Sequence, residues 1–485
     1  MNELRSPFLL ESATRLAERI RTGENRSTEI VEAHIDAIQA VNPALNAVVA
    51  DRFEAARREA QAADAAVAAG GELPPLHGVP CTIKESFGLA GMPQASGLVS
   101  RRGLRSSTDA TVVARWRAAG AIPLGVTNTS ELNMWMESSN RVYGRSNNPY
   151  LQDRIVGGSS GGEGAIVGSG ASPFGLGSDI GGSIRMPAFF NGVFGHKPSP
   201  GLVPNSGQYP IAEGEALRLL GSGPLCRRAE DLYPLVRLAA GPDGIDPSTR
   251  PMELLPPSLE QIAGLRVVQI EGNGLRRAST DLRVGIERAA RSLEQRGATV
   301  VKAAPKSLRR TLVLWAGLMS ANADHSFSEL LGGGAKVNAV KELLLWCVRQ
   351  SPHTLPAIIL ALVEGLPGVE PSDVQKLYDE TARMRDELAA LVGDRGVILF
   401  PPYTRTAPRH GMPLLTPIDF SYTAIWNALE VPVTQVPLGL DGQGLPLGVQ
   451  VVGMPGCDHL TMSVALALES DLGGWVPPWQ ARAGS

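Results

Sequence analysis

The chain has 485 residues, 43% hydrophobic and 19% charged, with 54 glycines and 37 prolines spread along it, a composition that suits a turn-rich globular protein and excludes disorder. Forty-five Lys and Arg against 48 Asp and Glu give a formal charge of -3, which leaves no basic field for a phosphate backbone or an anionic membrane and excludes nucleic acid as a partner. Cys81, Cys226, Cys347 and Cys457 are dispersed without a CxxC pair, pointing away from a disulfide framework or a zinc site and towards a reducing, cytoplasmic setting.

At the N-terminus, Met1 to Leu10 carries Glu3 and Arg5 and has no apolar core of signal-peptide length, so secretion is not expected. Ser27 then precedes Ile30, Val31, His34, Ile35, Ile38 and Val41, a three-and-four spacing that predicts an amphipathic helix capped by that serine. The alanine-rich run Phe53 to Ala69 predicts a second helix, stopped by Gly70, Gly71, Pro74 and Pro75. From there, β-branched runs such as Gly78 to Lys84 and Ala121 to Thr127 alternate with helical stretches such as Asp109 to Ala119, which is α/β texture. Residues 305–395 read as mostly helical, with Lys341 to Val348 and Leu355 to Val363 unusually apolar; such an insertion serves as a lid, as a channel wall, or simply packs on the core. The second of these runs contains Pro356 and is too short to span a bilayer. Strands return at Gly396 to Phe400, Val431 to Val436 and Leu447 to Val452, completing the same sheet. Length alone suggests roughly three domains, yet no linker or repeat divides the chain. The simplest organisation is one domain over 1–485: N-terminal helices (1–72), a core (73–304), a helical insertion (305–395) and a C-terminal part (396–485).

The chemistry concentrates in Gly157-Gly158-Ser159-Ser160-Gly161-Gly162 and in Gly177-Ser178-Asp179-Ile180-Gly181-Gly182-Ser183-Ile184-Arg185. Glycine lets a backbone come close to a ligand and lets successive N–H groups converge on one point. Ile180, Gly181, Gly182 and Ser183 are therefore candidates for an oxyanion hole, beside a serine placed to attack a carbonyl. A serine hydroxyl needs a base, but none of the seven histidines carries a local signature tying it to either serine. Lys84 ends an uncharged, β-branched run that reads as a buried strand. Desolvation there favours the neutral amine, and a base working near pH 7.5 needs its pKa lowered by about 3 from about 10.4. Gly157 to Gly161 also fits the G-x-S-x-G pattern of α/β-hydrolases, although no strand-to-helix elbow is evident around it. Asp179 and Arg185 read as a buried pair bracing the loop. Met186, Phe189 and Phe190, next to the second serine, suit a hydrophobic acyl or aryl group.

Three segments, Gly78-Val79-Pro80-Cys81-Thr82-Ile83-Lys84-Glu85, Gly157 to Gly162, and Gly177 to Arg185, resemble in order and spacing the signature of the amidase-signature family. The resemblance implies a large mixed twisted β-sheet covered by helices on both faces. It implies Lys84 as general base, Ser159 as a bridging hydroxyl held by a cis peptide, Ser183 as nucleophile, and Ile180 to Ser183 as the oxyanion hole. Asn133 and Met134 would approach the acyl pocket with Met186 and Phe189. Gly161-Gly162-Glu163-Gly164 and Ile184 to Gly192 are most similar to the fatty-acid amide hydrolases within that family. The expected reaction is hydrolysis of a small-molecule carboxamide through an acyl-enzyme, with no cofactor and no metal. Esters and carbamates are alternatives on the same triad, and the glutaminase subunit of a tRNA amidotransferase is a further one. A homodimer is common among such relatives.

Overall fold

The computed structural model describes residues 6–212, 214–321, 325–364 and 374–481; Glu3 and Arg5 lie outside them. Among the described residues one sheet of eleven strands runs through the molecule, and a hairpin of two-residue strands, Ser139–Asn140 with Gly144–Arg145, stands apart from its strand numbering. In chain order the strands are β1 (Val48–Asp51), β2 (Pro80–Lys84), β3 (Ile122–Thr127), β4 (Phe174–Asp179), β5 (Phe194–Lys197), β6 (Gly221–Cys226), β7 (Arg266–Gln269), β8 (Thr299–Lys302), β9 (Gly396–Phe400), β10 (Val433–Leu440) and β11 (Pro446–Val452). Their spatial order is β1-β3-β2-β4-β6-β5-β10-β11-β9-β7-β8. The sheet is mixed: β3-β2-β4 and β9-β7-β8 are parallel, and the middle is antiparallel. The C-terminal strands complete the sheet that the N-terminal half begins.

Strands β2, β3, β4 and β6 are buried at every position, which is why they read as continuous uncharged runs and not as alternating ones. The helix predicted from Phe53 to Ala69 has those bounds. The helix at Ser27–Leu45 also forms, but Ser27 does not cap it. Its hydroxyl donates to the Gly78 carbonyl, and the N–H groups of Ser27 and Thr28 are taken by the Asp64 carboxylate of the neighbouring helix. An acid from another helix meets the same unsatisfied donors and the same positive helix end.

In the helical insertion, Ala339–Cys347 contains no buried residue, and Val340, Leu344 and Val348 are more than 60% exposed. The next helix, Leu355–Glu364, buries Ala357, Ile358 and Ala361, and Ala357 and Ala361 pack with Leu98, Leu132 and Leu331 in a small cluster separate from the main core. The first of the two apolar helices is thus a surface element, and the second packs. No helix among the described residues is long and apolar enough to cross a membrane.

Candidate active site

Parallel neighbours bring their carboxyl ends to the same edge, where ligands of α/β sheets commonly bind. Here β2 and β4 pair in parallel with Thr82 opposite Gly175 and Ile83 opposite Leu176, so by the same register Lys84 at the end of β2 falls level with Gly177, the first residue of the glycine-rich segment and still within β4. Lys84 is fully buried. Its Nζ lies 2.7 Å from Ser159 Oγ and 3.0 Å from Ser178 Oγ. Burial lowers its pKa to about 7, against the opposing pull of Asp179, Glu163 and Glu85; an ammonium buried beside two hydroxyls has lost its water without gaining a bonded carboxylate.

Ser159 follows a cis peptide bond at Gly158, and its carbonyl accepts from Thr129 Oγ1 and Ser138 Oγ. The Ser160 N–H donates to the Ser183 carbonyl at 3.2 Å, which joins the two serine loops at Ser183 itself. Ser183 is 8% exposed, and its hydroxyl makes no hydrogen bond among the described residues.

The loop from Asp179 to Arg185 is built around one carboxylate. Asp179 Oδ1 accepts from the Gly182 N–H at 2.7 Å, Arg185 Nη2 at 2.8 Å and Asn427 Nδ2 at 3.0 Å; Oδ2 accepts from the Ile184 N–H and Arg185 Nε, each at 3.0 Å. Both side chains of the ion pair have zero exposure. Burial pushes the Asp179 carboxyl up, but the Arg185 charge and hydrogen bonds outweigh it and hold the group well below the usual carboxylate range. The expected bracing pair is therefore present, and it engages one of the four amides named as oxyanion-hole candidates. The Gly182 amide is committed to Asp179, which leaves Ile180, Gly181 and Ser183 with amides that make no hydrogen bond among the described residues. Gly182 has φ +124, and a Cβ on it would lie 2.1 Å from Thr423 Oγ1, so only glycine fits there.

The expected pocket residues divide. Met186 is nearly buried, with its Cε 3.1 Å from the position a Gly182 Cβ would take. Asn133 and Met134 are partly exposed. Asn133 Oδ1 accepts from Thr129 Oγ1 at 2.5 Å, the same hydroxyl that contacts the Ser159 carbonyl. Phe189, by contrast, has no exposure, packs on Phe190 with ring centroids 5.1 Å apart, and belongs to the main hydrophobic core.

Several contributors have no local signature. Trp315, from the insertion, donates Nε1 to the Ile180 carbonyl at 2.8 Å and meets Phe420 edge to face with ring centroids 5.0 Å apart. Thr423 donates to the Gly181 carbonyl at 2.7 Å. Ser178, inside the glycine-rich segment, is the second hydroxyl on Lys84. Another buried lysine, Lys197, hydrogen-bonds only the Pro198 carbonyl among the described residues. No histidine among the described residues bonds Ser159 or Ser183. His196 and Ser199 do converge on Asp458 at 3.1 and 2.5 Å, but there the carboxylate stands between imidazole and hydroxyl, so no base touches the serine. No group of three or more His, Cys, Asp or Glu side chains able to hold a metal ion occurs among the described residues.

The sequence profile of the family described as Amidase matches residues 29–462. Human fatty-acid amide hydrolase 2 is 46% identical, covering 97% of this chain and 91% of the relative. An acylamidase of Rhodococcus erythropolis is 30% identical, covering 96% of each. A solved bacterial aryl acylamidase of the amidase-signature enzymes superposes with a TM-score of 0.84 at 23% identity, over 99% of this chain and all of that one, and shares the fold. With the profile spanning most of its length and these relatives aligned almost end to end, this chain belongs to the amidase family and is an amide-hydrolysing enzyme of the amidase-signature kind.

Proposed function

We propose that the protein hydrolyses carboxamides of hydrophobic acyl or aryl groups through an acyl-enzyme on Ser183, with Ser159 and Lys84 carrying the proton. The observation that supports this most is the 2.7 Å contact between buried Lys84 Nζ and Ser159 Oγ, in a loop hydrogen-bonded to Ser183. Ser183 Oγ attacks the carbonyl carbon. Its proton passes to Ser159 as the Ser159 proton passes to neutral Lys84, and the C=O bond opens to an oxyanion received by the free amides of Ile180, Gly181 and Ser183. On collapse, the Lys84 proton returns through Ser159 to the leaving nitrogen, which departs as an amine. Water then repeats the sequence on the acyl ester and releases the acid. Esters and carbamates fit the same steps.

The hydrophobic preference is supported by Met186, Trp315 and Phe420 around the nucleophile loop and by the names of the fatty-acid amide and aryl acyl amide relatives. Fluorophosphonate labelling followed by peptide mass spectrometry is expected to mark Ser183. Across p-nitroanilides from acetyl to hexanoyl, kcat/KM should rise about fourfold per methylene, from about 0.8 kcal/mol of burial each. A label on Ser159, or best activity on small polar amides, contradicts the proposal.

A further inference from the structure

Glu163 stands in the first turn of the helix Gly161–Gly168, four residues after Ser159, and is fully buried. Its carboxyl group has no cationic partner in hydrogen-bonding contact among the described residues. Its two oxygens meet hydroxyls on either side of Lys84. Oε2 is 2.6 Å from Thr82 Oγ1, two residues before Lys84 on the same face of β2. Oε1 is 2.8 Å from Thr127 Oγ1, and Thr127 is the β3 residue directly opposite Lys84. Gly175 on β4 leaves the space the carboxyl fills, since a Cβ there would lie 1.7 Å from Oε2.

The hydroxyl protons in this cluster can be counted. Ser172 Oγ lies 2.8 Å from the Phe174 carbonyl, which only accepts, so the Ser172 proton points there. Thr82 Oγ1 lies 3.2 Å from Ser172 Oγ, and with the Ser172 proton committed this contact needs the Thr82 proton. The one Thr82 proton is thus shared between a 2.6 Å contact to Glu163 and a 3.2 Å contact to Ser172, and a proton on the carboxyl group is what lets both be hydrogen bonds. Every contact is satisfied when Glu163 is a carboxylic acid donating to Thr82, Thr82 to Ser172, and Ser172 to Phe174, with Thr127 donating to the other oxygen.

We infer that Glu163 is a positioning residue for the base: held as the neutral acid, it keeps a negative charge away from Lys84 and so sets the pH at which Lys84 becomes an available amine. This rests on the reading of Lys84 as the base. Burial, which leaves a carboxylate without water, raises the Glu163 pKa to about 8 against the bonds from Thr82 and Thr127 and the charge of Lys84. The other ionisable groups acting on this pair are Asp179, paired with Arg185, and Glu85, both acting on Lys84, and the Cys81 thiol, which also feels the charges of Arg52, Glu59 and Arg117. Glu163 and Lys84 therefore titrate as a coupled pair.

The test is Glu163→Gln, whose carboxamide has the shape and donor pattern of the neutral acid. The acid limb of the kcat/KM profile for an anilide is expected to stay within about half a pH unit of wild type, because one neutral group replaces another. If Glu163 were ionised through this range, its removal would take a negative charge from beside the amine and move the limb to lower pH by more than about one unit, and the inference would fall. Infrared difference spectra of substrate-free wild type against the variant at neutral pH should show the carbonyl stretch of a protonated carboxylic acid. A carboxylate band alone overturns the inference, and this readout does not depend on what Lys84 does in catalysis. Should the variant not fold, Ser172→Ala serves: it frees the Thr82 proton for Glu163, stabilises the carboxylate, and should move the acid limb to higher pH. An unmoved limb contradicts the inference.

Discussion

Replacing Asp179 by Asn is the most informative structural perturbation, because one carboxylate holds both the Ser183 loop and a buried arginine. Each carboxylate oxygen is shared: Oδ1 by Gly182, Arg185 Nη2 and Asn427, and Oδ2 by Ile184 and Arg185 Nε. Whichever oxygen becomes an NH2, its donors face another donor, and the Arg185 charge stays at zero exposure. Thr423, Gln450 and Asn427 still accept from that guanidinium, but no anion balances it. Removing one partner of a buried pair costs about 3–5 kcal/mol, a large share of a total stability of about 5–15 kcal/mol. The folded-state pKa of Asp179 is depressed. Its stabilisation is therefore fully present above the unfolded-state value of about 3.9 and is lost as the pH falls through the folded value. Urea unfolding at neutral pH, with reversibility checked by recovered activity, should show the full difference, and the gap between wild type and variant should narrow in acid. Because Gly182 and Ile184 lose their anchor, kcat/KM should fall by about 10²-fold or more in the protein that remains folded. A stability loss below about 1 kcal/mol with wild-type turnover would refute the claim that this pair organises the loop.

Two further outcomes follow from the same geometry. With the Lys84 pKa lowered to about 7 and the base active only when deprotonated, kcat/KM for amides should rise about tenfold per unit at acid pH and level off above about pH 7; a profile that falls between pH 6 and 8 would be incompatible with an amine base. Gly182→Ala places a Cβ 2.1 Å from Thr423 Oγ1 at φ +124, so the loop must move, and kcat should drop by about 10²–10³-fold while KM for a short anilide changes less; equal turnover would mean the loop tolerates displacement.

Much of this was legible because the relevant signals are local. Buried strands show as uncharged β-branched runs, so Gly396–Phe400 appears with its bounds, and the lysine ending β2 stands out because nothing else in that run is charged. Glycine density marks the two serine loops, and Asp179 with Arg185 is readable as a pair because both lie in one short segment. What was not legible depends on contacts distant in sequence. Asp64 takes the place expected for the Ser27 cap from a different helix. Trp315 reaches the Ile180 carbonyl from the insertion, and no periodicity within that helix distinguishes it from a core tryptophan. The commitment of the Gly182 amide to Asp179 is a matter of backbone direction, which glycine-rich sequence leaves open. Phe189 was expected to face a ligand from its proximity to Ser183, but a six-residue helix turns it into the core within one turn.

The central claim, that Lys84 relays protons through Ser159, is tested most directly by measuring kcat/KM of Lys84→Ala on a matched anilide and p-nitrophenyl ester. An amide's nitrogen must be protonated as it leaves, whereas a phenolate departs without help, so the account predicts that the anilide loses more than the 10²–10⁴-fold typical of general acid–base catalysis while the ester loses much less. A folded Lys84→Ala protein that retained wild-type anilide hydrolysis, or lost both activities to the same extent, would contradict it.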